Sequence, residues 1–259
     1  MSTENNLQPP RRIAIITGGN RGLGRNTVLQ LAARGIDTIL TYRNNRAEAE
    51  EVLAAVSASG SRAIALQLDV ADTAAFAGFV QRVEQALAQL GARRFDYLVN
   101  NAGTSHHQAF EHVTEEDLDS LYQVHVKGVF FLTQKLLPLI NDGGRIINIS
   151  SGLTRIVIPG SVAYAVMKGA VEILTRYQAR ELGPRGIAVN TVAPGAIATD
   201  FSGGMVRDNP ELQQRIIGMT ALGRVGQPDD IGLMVVSLLS DDNRWVTAQR
   251  IEVSGGMVI

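Results

Sequence analysis

Short apolar runs alternate with longer amphipathic stretches from residue 12 to the end of the chain. Residues 12–17, 37–42, 63–68, 95–100, 145–150 and 187–192 are each rich in Ile, Val, Leu or aromatic side chains. A run of that length with few polar interruptions suits a strand covered on both faces. Residues 250–253 read as a last, shorter strand. Between the runs, apolar positions recur at helical spacing. They predict helices over about 22–34, 47–59, 73–90, 115–140, 161–182 and 229–239, with Gly35 closing the first. The 115–140 stretch has kink points at Gly128 and Pro138. Segment 195–227 reads as irregular. Regular strand–helix alternation predicts an α/β fold: a doubly wound parallel sheet of about seven strands, with helices on both faces and right-handed crossovers. No linker, repeat or low-complexity segment interrupts residues 12–259, so they read as one domain. Residues 1–11 are polar, carry Pro9 and Pro10, and read as a disordered tail.

Composition narrows the classes of function. A chain of 259 residues can bury a single large core. A formal net charge of -1 gives no broad attraction to nucleic acid or to an anionic membrane. There is no cysteine, which excludes disulfides and thiolate chemistry and fits a reducing, cytoplasmic setting. No apolar run approaches the roughly 20 residues of a membrane span, and residues 1–11 lack a secretory apolar stretch.

The chemistry concentrates where strands end. The first strand runs into Thr17-Gly18-Gly19-Asn20-Arg21-Gly22-Leu23-Gly24. Glycines between a strand and a helix let a pyrophosphate approach the helix N-terminus. The second strand ends Tyr42-Arg43-Asn44, without the carboxylate that usually holds a ribose 2′-hydroxyl. Arg21 and Arg43 would attract a 2′-phosphate instead, which favours NADP(H) over NAD(H). Asp69 and Val70, at the end of the third strand, would border an adenine pocket. Tyr164 and Lys168 are four residues apart, so one helix face can carry both, and a nearby cation favours a phenolate. Ser151 precedes the tyrosine by thirteen residues.

Taken in order, Thr17-Gly18-x-x-x-Gly22-x-Gly24, Asn100-Asn101-Ala102-Gly103, Ser151, Tyr164-x-x-x-Lys168 and Pro194-Gly195-x-Ile197-x-Thr199 resemble the short-chain dehydrogenase/reductases, including their 3-oxoacyl-[acyl-carrier protein] reductase-like members. The resemblance covers about 12–259. It implies a single-domain Rossmann fold that moves hydride between NAD(P) and a carbonyl or alcohol. By that resemblance Tyr164 is the general acid/base. Lys168 binds the nicotinamide ribose and lowers the tyrosine's pKa, and Ser151 positions the carbonyl. Asn101, Ala102 and Gly103 form a cofactor wall, and Pro194, Gly195, Ile197 and Thr199 the nicotinamide side. The family's 198–221 region is a mobile lid.

His125 departs from the pattern. It stands where the family has an asparagine that holds a water between lysine and solvent. The imidazole either takes over that relay, adding a pH dependence near its ordinary pKa of about 6.5, or simply packs in the helix. His106 and His107 lie near the expected substrate mouth without metal-ligand spacing, and His112 reads as surface. Arg155 is either an anchor for an anionic substrate or a loop cation.

The leading reading is an NADPH-dependent carbonyl reductase on a small-molecule substrate. An acyl-carrier-protein reductase, a polyol or sugar dehydrogenase, and a non-catalytic dinucleotide sensor are the alternatives. Asp142 weighs against carrier docking, for which Arg185 is the candidate cation. The helices 115–140 and 161–182 and the apolar C-terminus 254–259 resemble interface elements of the family's tetramers, which implies a homotetramer, with a dimer as the alternative.

Overall fold

The computed structural model describes residues 11–259; the expected disordered tail, apart from Arg11, lies outside the described residues. Seven strands form one sheet: β1 (Ile13–Ile16), β2 (Asp37–Tyr42), β3 (Ala63–Gln67), β4 (Phe95–Asn100), β5 (Ile140–Ile149), β6 (Ala188–Pro194) and β7 (Arg250–Val253). Their order is β3-β2-β1-β4-β5-β6-β7, and every neighbouring pair is parallel.

Successive residues of a strand face opposite sides, so each strand feeds two cores. Ile13 and Ile15 pack with Phe76, Phe79, Val83 and Leu87 of α3 (Phe76–Gln89) and with Leu132 and Leu136 farther along. Ala14 and Ile16 pack with Val28 and Leu31 of α1 (Gly22–Ala32), Val52 and Val56 of α2 (Arg46–Ala58), and Ile231 and Val235 near the C-terminus. Burial on both sides is why the central strands are rich in Ile, Val and Leu.

Chain order reverses between β1 and β4, the switch point where open α/β sheets bind ligands beyond the carboxyl ends of their strands. The glycine turn after β1 and Asn101 after β4 meet there. Asn101 Nδ2 donates to the carbonyls of Thr17 and Gly18 at 2.9 and 3.2 Å, and Thr17 Oγ1 accepts from the backbone of Asn101 and Ala102 at 2.9 and 3.0 Å.

Two expectations are corrected. The 115–140 stretch is not one helix. It is α4 (Glu115–Tyr122), a π-helical turn Gln123–Lys127, α5 (Gly128–Leu136) and a 3-10 turn Leu137–Leu139, after which β5 starts at Ile140. The break falls at Gly128, where a Cβ would lie 2.3 Å from the Val70 carbonyl oxygen. Pro138 stops the helix before 140. After α6 (Val162–Leu182), the segment expected to be irregular holds α7 (Met205–Asp208) and α8 (Pro210–Met219). Asn209 accepts from Leu212 N at 3.0 Å and Pro210 occupies the first helical position, so α8 has a regular start. The last helix is α9 (Pro228–Leu239). Among the described residues, no helix is long and apolar enough to cross a membrane.

Candidate active site

The cofactor end is built by backbone. Gly18 and Gly22 adopt left-handed φ values of 63° and 55°, a conformation that glycine takes without a steric cost. Gly24 is needed for closeness, because a Cβ there would lie 2.1 Å from the Gly18 carbonyl oxygen. Arg21 precedes α1 without any side-chain cap, and the first turn carries no acid. The first N–H groups of α1 therefore lack side-chain partners, which suits an anion such as a pyrophosphate. A Cβ on Gly22 would stand 3.9 Å from Thr199 Cβ, so the glycine turn faces the Pro194-to-Thr199 segment across the mouth. Within that segment, Gly195 N donates to the Val253 carbonyl at 3.0 Å and Ile197 pairs with Gly226.

Arg21 and Arg43 are exposed and make no ion pair among the described residues. Arg43, Asn44, Leu68, Asp69 and Arg82 line a cleft of about 540 Å³ past the ends of β2 and β3. Arg82 is an addition that sequence reasoning missed; its amphipathic position on α3 gave no cue that it reaches back to the Gln67 carbonyl at 3.1 Å. Other expected cofactor residues contribute through the scaffold. Asn20 donates to Glu48 at 2.6 Å, Leu23 packs into a core, Tyr42 is half-buried against the same core, and Val70 supports Gly128.

Ser151, Tyr164, Lys168 and His125 converge. Lys168 is buried, donates from Nζ to the Ile149 carbonyl at 2.8 Å, and sits 5.6 Å from the centre of the Tyr164 ring. Burial pulls its pKa down to about 7. Tyr164 is also buried, and that burial raises its phenol above the ordinary value, with the Ser151 hydroxyl pulling the other way. This differs from the expectation that Lys168 holds the phenol down: burial is the leading cause for both groups, and each resists charge. Ser151 caps a 3-10 turn, its Oγ accepting from Leu153 N at 3.2 Å.

His125 lies in the π-helical turn, and such turns often reshape a helix at a functional site. Its ring meets Tyr164 edge-on at 5.2 Å. Nε2 is 2.8 Å from the Thr104 carbonyl oxygen, which assigns the proton to Nε2. Nδ1 is then a buried acceptor without a partner among the described residues. A Cβ on Gly103 would lie 2.8 Å from His125 Cε1, so the imidazole fits only because residue 103 is glycine. Burial, then the Lys168 charge, pulls the His125 pKa down to about 3. The expected titration near 6.5 is therefore overturned: the ring stays neutral through the physiological range.

The rim also differs from expectation. Arg155 is not free for substrate. It clasps Glu252 at 2.8 Å through Nε and reaches the Met257 and Val258 carbonyls at 2.7 and 2.8 Å. Arg185 lies away from the rim, past the end of α6 and beside the start of β5, where it is spent on Asp142 at 2.8 Å and on the Leu137 and Ile140 carbonyls. His107 packs over Gly160, His106 is 3.6 Å from Asp117, and His112 is exposed beside Glu111. Phe201, within the 198–221 segment read as a lid, approaches Tyr164 at 6.1 Å between ring centres. It opens a bend in which Ser202, Gly203 and Gly204 are all left-handed, and Arg207 ties the bend to Asp200 and Asp208.

Comparison with known proteins agrees with this layout. A family model described as enoyl-(acyl carrier protein) reductase matches residues 18–258. The chain is 37% identical over 246 residues to the 3-oxoacyl-[acyl-carrier-protein] reductase of Staphylococcus aureus, covering 94% of this chain and 97% of that one. Among solved structures it resembles LugOII, described as a promiscuous reductase catalysing keto-reduction at C1 during lugdunomycin biosynthesis. The match has 38% identity and a TM-score of 0.88, over 96% of this chain and 98% of that one. It also resembles the angucycline C-6 ketoreductase LanV with bound NADP, at 35% identity and a TM-score of 0.88, over 95% of each chain.

Proposed function

Because the chain belongs to the short-chain dehydrogenase/reductase family, we propose that it is an NADP(H)-dependent oxidoreductase that interconverts a ketone or aldehyde and an alcohol. The observation that carries this reading is the meeting of Tyr164, Lys168 and Ser151 beside a glycine turn whose helix start is uncapped. Two unpaired arginines, Arg21 and Arg43, support a 2′-phosphate and hence NADP(H) over NAD(H). NADP bound to the LanV relative points the same way. Asn101, Ala102, Gly103, Asp69 and Thr199 complete the proposed cofactor wall.

The bound cofactor supplies or accepts the hydride. The chain supplies the rest. Ser151 donates a hydrogen bond to the carbonyl oxygen, and Tyr164 gives that oxygen its proton as the alcohol forms. A raised phenol pKa keeps the proton on Tyr164 until a developing alkoxide can take it. Lys168, drawn down to about 7, stands near half-charged at neutral pH and can return a proton toward the phenol. Neutral His125 braces the Tyr164 ring and the Thr104 carbonyl, and we place it in the catalytic set in that supporting role.

A neutral small-molecule ketone fits the rim better than an acidic carrier protein. Arg155, Arg207 and Arg224 all have carboxylate partners, and Arg185 lies at the far end of α6, whereas docking an acidic surface calls for free cations. The named ketoreductase relatives support the same choice. Carrier-protein reduction stays as the second reading because the Staphylococcus aureus relative carries that name. The same reading makes the protein a cytoplasmic homotetramer, with a dimer as the alternative. A cofactor titration, NADPH against NADH, followed by a screen of free ketones and an acetoacetyl carrier thioester, tests it. NADPH oxidation with free ketones is expected; turnover of the carrier thioester alone would favour the second reading, and turnover of no carbonyl would end both.

A further inference from the structure

Glu172 lies one turn beyond Lys168, so Tyr164, Lys168 and Glu172 share one face of α6. Its Oε1 lies within hydrogen-bond distance of three donors: Ser150 Oγ at 2.7 Å, Thr154 Oγ1 at 2.8 Å and Arg250 Nε at 2.8 Å. Each of them reaches Ser151. Ser150 is its chain neighbour. Thr154 Oγ1 is 3.0 Å from the Ser151 carbonyl oxygen, and Arg250 Nη2 donates to that oxygen at 3.3 Å. On the far side, Arg250 Nη1 reaches Glu252 at 3.0 Å, and Glu252 holds Arg155. The Glu172 and Arg250 side chains are only 18% and 26% exposed.

We propose that Glu172 and Arg250 are positioning residues for Ser151, a role that rests on the reductase reading above. The helix that carries the proton donor and the lysine also carries the anchor for the third reacting group. A carboxylate that gathers hydroxyl and guanidinium donors in a shielded site is held more firmly than an exposed ion pair. Arg250, itself held by Glu172, thereby holds the Ser151 carbonyl and steadies the turn that carries the Ser151 hydroxyl. Neither Glu172 nor Arg250 touches the reacting atoms.

The test compares wild type with Glu172→Gln, Arg250→Lys and Arg250→Ala, using NADPH and the best free ketone. The readouts are kcat, KM, NADPH affinity and melting temperature. A loosened serine should lower kcat by about 10-fold to 100-fold, with NADPH affinity near wild type. Guanidinium ion at millimolar concentration should restore part of the Arg250→Ala loss and none of the Glu172→Gln loss. If Arg250→Ala does not fold, the two conservative variants carry the test. Unchanged kcat in folded Glu172→Gln and Arg250→Lys would overturn the proposal. So would losses that track NADPH affinity and melting temperature together, which is what a purely structural role predicts. Failure of the reductase reading looks different: wild type would bind NADPH and reduce nothing. Crystal structures would then decide, since a Ser151 hydroxyl unmoved in Glu172→Gln and Arg250→Lys overturns the positioning role.

Discussion

Three titratable side chains meet behind the reacting centre, and burial decides the state of each. Tyr164 stays protonated, Lys168 loses much of its charge near neutral pH, and His125 stays neutral. The His125 effect has a definite sign. Its pKa falls from 6.5 to about 3 on folding, so between those values the unfolded chain binds more protons. Stability should therefore fall as pH drops through that window, and the contribution should vanish above it. A His125→Asn variant should lose less melting temperature than wild type between pH 6 and pH 4, and its rate profile should lack any new step near neutrality. An equal acid loss in both proteins would contradict the burial argument. Tyr164, Lys168 and Ser151 were legible in the sequence because their chemistry and spacing are local. The charge states were not, because desolvation depends on what folds over them. Nor was the fate of Arg155, whose partner Glu252 lies 97 positions along the chain.

At the scale of elements, glycines mark where backbone must meet backbone. The turn after β1 was readable because its glycines fall between a strand and a helix. Its internal tightness was not, since Gly24 meets Gly18 only once the turn has closed. A Gly24→Ala change should force the turn open and weaken NADPH binding by about tenfold, or about 1.4 kcal/mol, with the sheet intact by circular dichroism. Affinity equal to wild type would show that the turn does not cradle the cofactor. The π-helical turn around His125 was hidden from periodicity, which registers helix but not its local widening. Helix α8 was hidden for another reason: the surrounding glycines and polar residues obscured the helical period.

For the whole molecule, strand–helix alternation was enough to read a doubly wound parallel sheet, because strands buried on both faces leave an unmistakable apolar record. Strand order adds the switch point that places the site. The outer surface carries unpartnered apolar side chains in a pattern: Val166, Ile173 and Tyr177 along α6, with Phe130 and Phe131 on α5, all exposed. A stripe of this kind in a chain of balanced charge fits contact with further copies. Light scattering should give a tetrameric mass for wild type and a smaller one for an Ile173→Glu, Tyr177→Glu double variant. A monomeric wild type would contradict the assembly.

In the proposed reaction Tyr164 gives its proton to a carbonyl oxygen as hydride arrives from NADPH. The most direct measurement is kcat/KM of Tyr164→Phe against wild type on one ketone, with NADPH affinity measured in parallel. kcat/KM should fall by about 100-fold or more, with NADPH bound as tightly as before. Turnover at the wild-type rate would contradict that proton transfer.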